Sequence, residues 1–199
     1  MSFFSTTKKL YTKAFSLVEV LVSLSIFTFV VTASVSALLV MVDANRKAQN
    51  IQSVMTNMSF ALDSMTRDLR TGQYYYCSDN AAALPTSGNT VRNCTNEAGI
   101  SFREAGSSLT EGCTGDRVAY YFNSTDNSIQ RRLCDGDWEP LTTSDVRVTD
   151  MQFTVSGAGT TDTAVPRVTI YIDGEVGTDA DTQTAFNLQT TISQLSLDI

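Results

Sequence analysis

From Phe15 to Val42 the chain is apolar, and Glu19 is its only charge. Val20 to Val42 carries no charge over 23 residues, of which 17 are apolar and six are Ser or Thr. A bilayer core takes roughly 20 apolar residues of helix at about 1.5 Å each, so this stretch is long enough to cross one. Beyond Val42 the sequence turns polar without breaking. Ala44, Ala48, Ile51, Met55, Met58, Leu62, Met65 and Leu69 recur at alternating spacings of 4 and 3, with Arg46, Lys47, Gln49, Gln52, Asp63, Arg67, Asp68 and Arg70 between them. That is one narrow apolar stripe on an amphipathic helix. No Pro or Gly occurs from Phe15 to Thr71, and Gly72 is a natural stop. The pattern predicts a continuous helix over 15–71, on the order of 85 Å long. Its stripe is expected to pack on the rest of the chain.

After the helix the period changes. Residues 72–116 show little periodicity and read as a Cys-bearing loop with one short strand near Ile100 to Arg103. From Arg117 the pattern is strand-like. Residues 117–123 and 128–133 flank the turn residues Asp126 and Asn127, which predicts a β-hairpin. Val146, Val148, Met151, Phe153 and Val155 form the next strand region, with room for a bulge across Thr149, Asp150 and Met151. Residues 165–172 follow, with Pro166 at the start, where a missing N–H is tolerable. Alternation at Phe186, Leu188, Thr190 and Ile192 predicts a final strand over 185–197. Four to six antiparallel strands over one long helix make an α+β fold. The expected segments are 1–14, 15–42, 43–71, 72–116 and 117–199.

Charge gives the apolar run a direction. Lys8, Lys9 and Lys13 precede it without any acid, and Asp43 follows it. A basic flank favours a cytoplasmic N-terminus and an exported C-terminal part, that is, a single-pass membrane protein. A secretory signal peptide is the competing reading, with Val35-Ser36-Ala37 as a small-residue cleavage site and an exported or anchored binding domain as the product. The run exceeds the roughly 7–15 residues of an ordinary signal core. It also holds Glu19, and an acid inside a membrane segment calls for a partner.

The chain as a whole has 14 Lys and Arg against 21 Asp and Glu, for a net charge of -7, and no His. The acidic balance argues against a nucleic-acid partner. The missing His removes His-based triads and His-ligated zinc. No phosphate-loop or nucleophile-elbow motif occurs, so no catalytic constellation is expected. Cys77, Cys94, Cys113 and Cys134 all fall in the part expected to be exported, and an even count there favours two disulfides. Three pairings are open, with Cys77–Cys94 and Cys113–Cys134 preferred as local staples. Two acidic groups raise calcium as a cofactor: Asp135, Asp137 and Glu139, and Asp173, Glu175, Asp179 and Asp181. Neither has EF-hand spacing, so solvated turns and no cofactor are expected. Arg131 and Arg132 are read as a solvated pair.

The order Lys13-Ala14-Phe15-Ser16-Leu17-Val18-Glu19 closely resembles the processing motif of type IV prepilins and type II secretion pseudopilins. Ala14 stands where that family usually has Gly. The resemblance implies cleavage between Ala14 and Phe15 by a prepilin peptidase, followed by methylation of the new amino group of Phe15. Glu19 then becomes the fifth mature residue, where the family nearly always has Glu. The new ammonium supplies a cation for Glu19 of a neighbouring subunit, so each buried charge gains a partner on assembly. The long helix, the Cys-bearing segment and the later strands are similar to the larger minor subunits, nearest to the J-class minor pseudopilin of type II secretion. The implied fold is pilin-like. The implied partners are other minor and major pilins or pseudopilins, the prepilin peptidase, an inner-membrane assembly platform, and membrane lipid before assembly. The implied role is to start assembly at or near the tip of a pseudopilus or pilus.

Overall fold

The computed structural model describes residues 15–104, 114–159, 164–177 and 183–195. The chain divides into two compact units, Met1–Asn45 and Arg46–Ile199. Helix α1 (Leu17–Thr71) begins in the first and ends in the second.

In the first unit every described residue is exposed, including Leu21, Leu24, Phe27, Phe29, Leu38 and Leu39. One 18-residue window of α1 has a mean hydropathy of 2.2, enough to cross a membrane. The six hydroxyls that interrupt the apolar run are satisfied within the helix. Ser23, Ser25, Thr28, Thr32, Ser34 and Ser36 each donate to the carbonyl four residues back, at 2.7–3.0 Å. In hydrocarbon an unmade hydrogen bond is costly, and this back-bonding lets Ser and Thr sit there without a water partner.

The second unit lays the rest of α1 on two antiparallel sheets. Its strands are β1 (Gly72–Ser78), β2 (Cys94–Glu97), β3 (Gly99–Glu104), β4 (Arg117–Asn123), β5 (Ser128–Leu133), β6 (Glu139–Pro140), β7 (Val146–Ser156), β8 (Arg167–Val176) and β9 (Thr184–Ser193). One sheet runs β1-β3-β4-β5-β6 and the other β2-β7-β8-β9. The α+β, pilin-like architecture read from the sequence is the one observed. The β4–β5 hairpin lies where its turn residues place it, and the β7–β8 register shifts between Val148 and Asp150.

Three expectations change. The described residues hold nine strands in two sheets, where four to six were expected. The described part of 72–116 contains three strands, not one. β1 starts directly at Gly72, but Tyr74 has a positive φ of 56° and the register breaks between Gln73 and Tyr76, which hides the alternation. β2 is polar and four residues long, so only its pairing with β7 marks it as a strand.

The buried face of α1 is also rotated from the expected stripe. Val54, Met58, Ala61, Met65 and Leu69 are buried, whereas Met55 is 67% exposed and Ile51 42%. The buried residues meet Ile100, Phe102, Val118 and Tyr120 of the first sheet and Met151, Phe153, Ile170 and Ile172 of the second in one core. Val54/Met55 and Ala61/Leu62 are adjacent apolar pairs, so periodicity alone admits two faces. The sheets select one.

Candidate functional site

The N-terminal segment carries the residues singled out for processing and assembly. Ala14 lies outside the described residues. Phe15 is 78% exposed and precedes α1. The Ser16 carbonyl accepts from the N–H of Glu19 at 3.0 Å and of Val20 at 3.2 Å. Ser16 is thus the residue before the first helical position, and Glu19 is the third position of the first turn. That spacing is the capping-box pattern, and an acid there also meets the positive end of the helix dipole. The position thus suits Glu19 to a local capping role in its own helix. What the segment can do chemically is limited and specific: it offers two non-helical residues, Phe15 and Ser16, before a helix, one carboxylate, and an apolar surface.

A second group of side chains ties α1 to the first sheet. The Tyr120 hydroxyl donates to Asp68 Oδ2 at 2.6 Å, and Arg131 donates to the same oxygen at 3.1 Å. Burial, reinforced by the bond to the Asp68 carboxylate, pushes the Tyr120 phenol well above its ordinary value. A phenol whose folded pKa is raised contributes nothing pH-dependent below its unfolded value of about 10. Above that pH the unfolded chain ionises first and stability falls. Urea unfolding of the full chain in detergent between pH 8 and 11 is expected to show this loss. Tyr120→Phe is expected to be less stable at pH 8 by about 1 kcal/mol, with its deficit shrinking toward pH 11. A deficit that stays constant across this range would contradict the argument.

Arg131 and Arg132 are not a solvated pair. Arg131 makes the Asp68 contact, and Arg132 donates to the Leu84 carbonyl at 2.9 Å while lying 4.6 Å from the centre of the Trp138 ring. Partial burial lowers the pKa of Arg132. Both side chains are therefore turned toward protein partners rather than left to water.

Arg117 is the largest fully buried side chain among the described residues, at 1% exposure. Nε donates to Ser101 Oγ at 2.7 Å. The two terminal nitrogens reach the carbonyls of Gly88 (2.8 Å), Thr90 (3.2 Å), Ser101 (2.8 Å) and Tyr74. One guanidinium thus fastens β1, β3 and the segment between Gly88 and Thr90 to β4. Sequence reading missed it, since an Arg at the start of a strand looks like a solvent-facing charge. It also missed Asp68, whose partners are 52 and 63 residues away.

Cys77 and Cys94 are joined in a disulfide, with Cα atoms 6.0 Å apart. It links β1 of one sheet to β2 of the other. Cys134 is also disulfide-bonded, and Cys113 lies outside the described residues. Of the acidic groups considered for calcium, Asp135 accepts from the Thr114 N–H. Asp173 bonds Tyr171 and Asn187, and Glu175 pairs with Arg147 at 2.8 Å. Asp179 and Asp181 lie outside the described residues. Among the described residues no three His, Cys, Asp or Glu side chains gather as a metal site.

The comparisons with known families agree with the two units. A family model described as prokaryotic N-terminal methylation motif matches residues 10–35. A second, described as prepilin peptidase-dependent protein B, matches residues 46–194. No curated protein and no solved structure matches the chain.

Proposed function

We infer, from the premise that the chain belongs to the prepilin peptidase-dependent protein B family, that it is a minor subunit of a type II secretion pseudopilus or type IV pilus. The coarse reading is plain: it is a pilin-like protein of the class processed by prepilin peptidase, with one apolar N-terminal helix suited to a single-pass anchor. The finer reading is ours. The leader 1–14 is removed between Ala14 and Phe15 on the cytoplasmic side, Phe15 is methylated, and the domain from Arg46 onward faces the exported side. The mature helix then leaves lipid for the company of other pilin-like helices, with the assembly platform acting on it. The subunit sits at or near the tip and starts assembly.

The observation that carries this reading is the methylation-motif match placed directly on an exposed apolar helix with Glu19 in its first turn. The work is structural, as in the family.

The reading predicts the mature N-terminus. Edman sequencing or top-down mass spectrometry of the protein from membranes is expected to find N-methylated Phe15, with the chain 14 residues shorter. Lys8, Lys9 and Lys13 leave with the leader, which moves the net charge from -7 to -10. A start at Leu38 would assign it to signal peptidase and make it an exported binding domain. An intact Met1 would make it a simple anchor.

A further inference from the structure

We propose that the outer face of the second sheet carries a binding site for a neutral saccharide with an acetamido group. The site is a hollow of about 340 Å³ lined by Asn96, Gln152, Thr154, Thr169, Tyr171 and Gln189. All six belong to the unit from Arg46 onward, on β2, β7, β8 and β9. Met151, Phe153, Ile170 and Ile172 fill the core side of this sheet. Strand alternation therefore turns Gln152, Thr154, Thr169, Tyr171 and Gln189 to the other face. Gln152, Tyr171 and Gln189 are register partners across three strands, and Thr154 and Thr169 form the next row.

The hollow has a structural cause. The Tyr171 hydroxyl donates to Asp173 Oδ2 at 2.8 Å and accepts from Asn187 Nδ2 at 2.6 Å. The same Asn187 nitrogen donates to Asp173 Oδ1 at 2.7 Å. Asp173 lies two residues further along β8, about 7 Å away, a distance that a tyrosine laid along its strand can span. Tyr171 is thus drawn toward Asp173 and away from Thr169. Space opens above Thr169 and Thr154, whose side chains are too short to fill it. The hydrogen bond to the Asp173 carboxylate is the main influence that raises the Tyr171 pKa, so at neutral pH the hydroxyl keeps its proton and the ring its tie. On the other side β2 is irregular. Asn96 has a positive φ of 58°, which Asn tolerates. Its N–H donates to the Thr154 hydroxyl at 3.2 Å, and its side-chain oxygen accepts from that hydroxyl at 3.2 Å.

No lining residue is charged, in a chain whose net charge is -7. The neighbouring carboxylates of Asp150 and Asp173 accept from Gln152, Tyr171 and Asn187, and they repel an anion. An apolar ligand would leave the polar lining without partners once it displaced water. Gln152 gives an N–H to Asp150 Oδ2 at 2.7 Å and keeps its carbonyl oxygen for a ligand. Gln189 is exposed and offers both ends of its carboxamide. An acetamido group carries one N–H and one C=O, the complement of a carboxamide. The apolar face of a pyranose ring suits the exposed part of the Tyr171 ring. Side chains already tied in place lose little freedom on binding. A peptide has the same amides, but it grips a sheet through main chain at an edge, and this hollow offers side chains on a face.

The test uses the full chain in a phosphocholine detergent, which has no sugar headgroup, with chitotriose as probe. Saturation-transfer NMR is expected to show saturable binding, with the acetyl methyl groups among the protons that receive magnetisation. Cellotriose, which lacks the acetamido group, is expected to bind at least about tenfold more weakly. Tyr171→Ala removes one wall, and Gln152→Ala/Gln189→Ala removes only two outward carboxamides. Each variant, with a native Trp138 emission spectrum, is expected to lose about tenfold or more in affinity for chitotriose. Arg167→Gln, on the same face but outside the hollow, is expected to bind as the native chain does. Absence of saturable binding, equal binding of cellotriose or of an acetylated tripeptide amide, or native affinity in either hollow variant would each overturn the proposal. None of these readouts depends on processing at Phe15, so this proposal and the proposed function fail separately.

Discussion

Arg117→Met is expected to lower the unfolding stability of the full chain in detergent by about 4 kcal/mol, near the upper end for a single substitution. Met matches the stem of the side chain but supplies no donor. The carbonyls of Tyr74, Gly88, Thr90 and Ser101 and the Ser101 hydroxyl then lose the group that serves them. A buried acceptor left alone costs about 1–3 kcal/mol. Some of these acceptors are only partly buried and regain water, which keeps the total below a simple sum. Burial pulls the Arg117 guanidinium down to about 10, opposed by the neighbouring Asp116 carboxylate, so it remains charged at neutral pH. Arg117→Lys keeps a charge but replaces the planar fork by a point donor that cannot reach carbonyls on separate segments, and should recover less than half of the loss. Urea titration followed by Trp138 fluorescence reads both. A Met variant with the native midpoint would mean that the carbonyls find other partners and that Arg117 fastens nothing.

The same residue shows where sequence reading stops. The apolar run and the methylation motif over residues 10–35 are legible because their meaning is local: length, charge and order suffice. The strands β7, β8 and β9 are legible because their alternation is unbroken or broken once, and β4 and β5 because they flank the turn residues Asp126 and Asn127. β1 is not, because Tyr74 takes a left-handed conformation in its middle. The buried face of α1 is half legible: Met58, Met65 and Leu69 belong to both possible stripes, and only packing against the sheets chooses Val54 over Met55. Arg117, Asp68 and Arg131 carry no local sign of burial. Their partners come from distant strands, and a charged side chain satisfied by carbonyls looks in sequence like one satisfied by water. β9, without charge or Pro, is easy to read as a strand, but its place at the rim of its sheet is a fact of topology.

Glu19→Gln is expected to abolish most incorporation into the assembled fibre, by about 100-fold, while leaving the protein in the membrane and correctly processed. Two roles compete for this carboxylate. As the third residue of the first turn it can complete a capping box with Ser16, a role that Gln performs as well as Glu. As a charge it can meet the methylated ammonium of Phe15 on a neighbouring subunit, a role closed to Gln. An unpaired charge within a membrane helix costs about 2.5–3.5 kcal/mol on insertion scales, which corresponds to a population factor of about 100. Glu19→Gln isolates the second role, and Glu19→Ala removes both. If pairing dominates, the two variants assemble equally poorly and differ only by a small loss of helix stability in Ala. If capping dominates, Gln assembles normally and only Ala fails, and the intersubunit role of Glu19 is lost. Counting the subunit in sheared fibres against the membrane fraction, with N-terminal mass confirming methylated Phe15 in each variant, separates the two. The processing control is essential because Glu19 lies four residues from the new N-terminus, and an unprocessed chain would fail to assemble for a different reason. On the proposed processing, single methylation takes one of the three N–H donors from the ammonium and leaves its charge, so a glutamine at this position still accepts a hydrogen bond but no longer supplies the opposite charge.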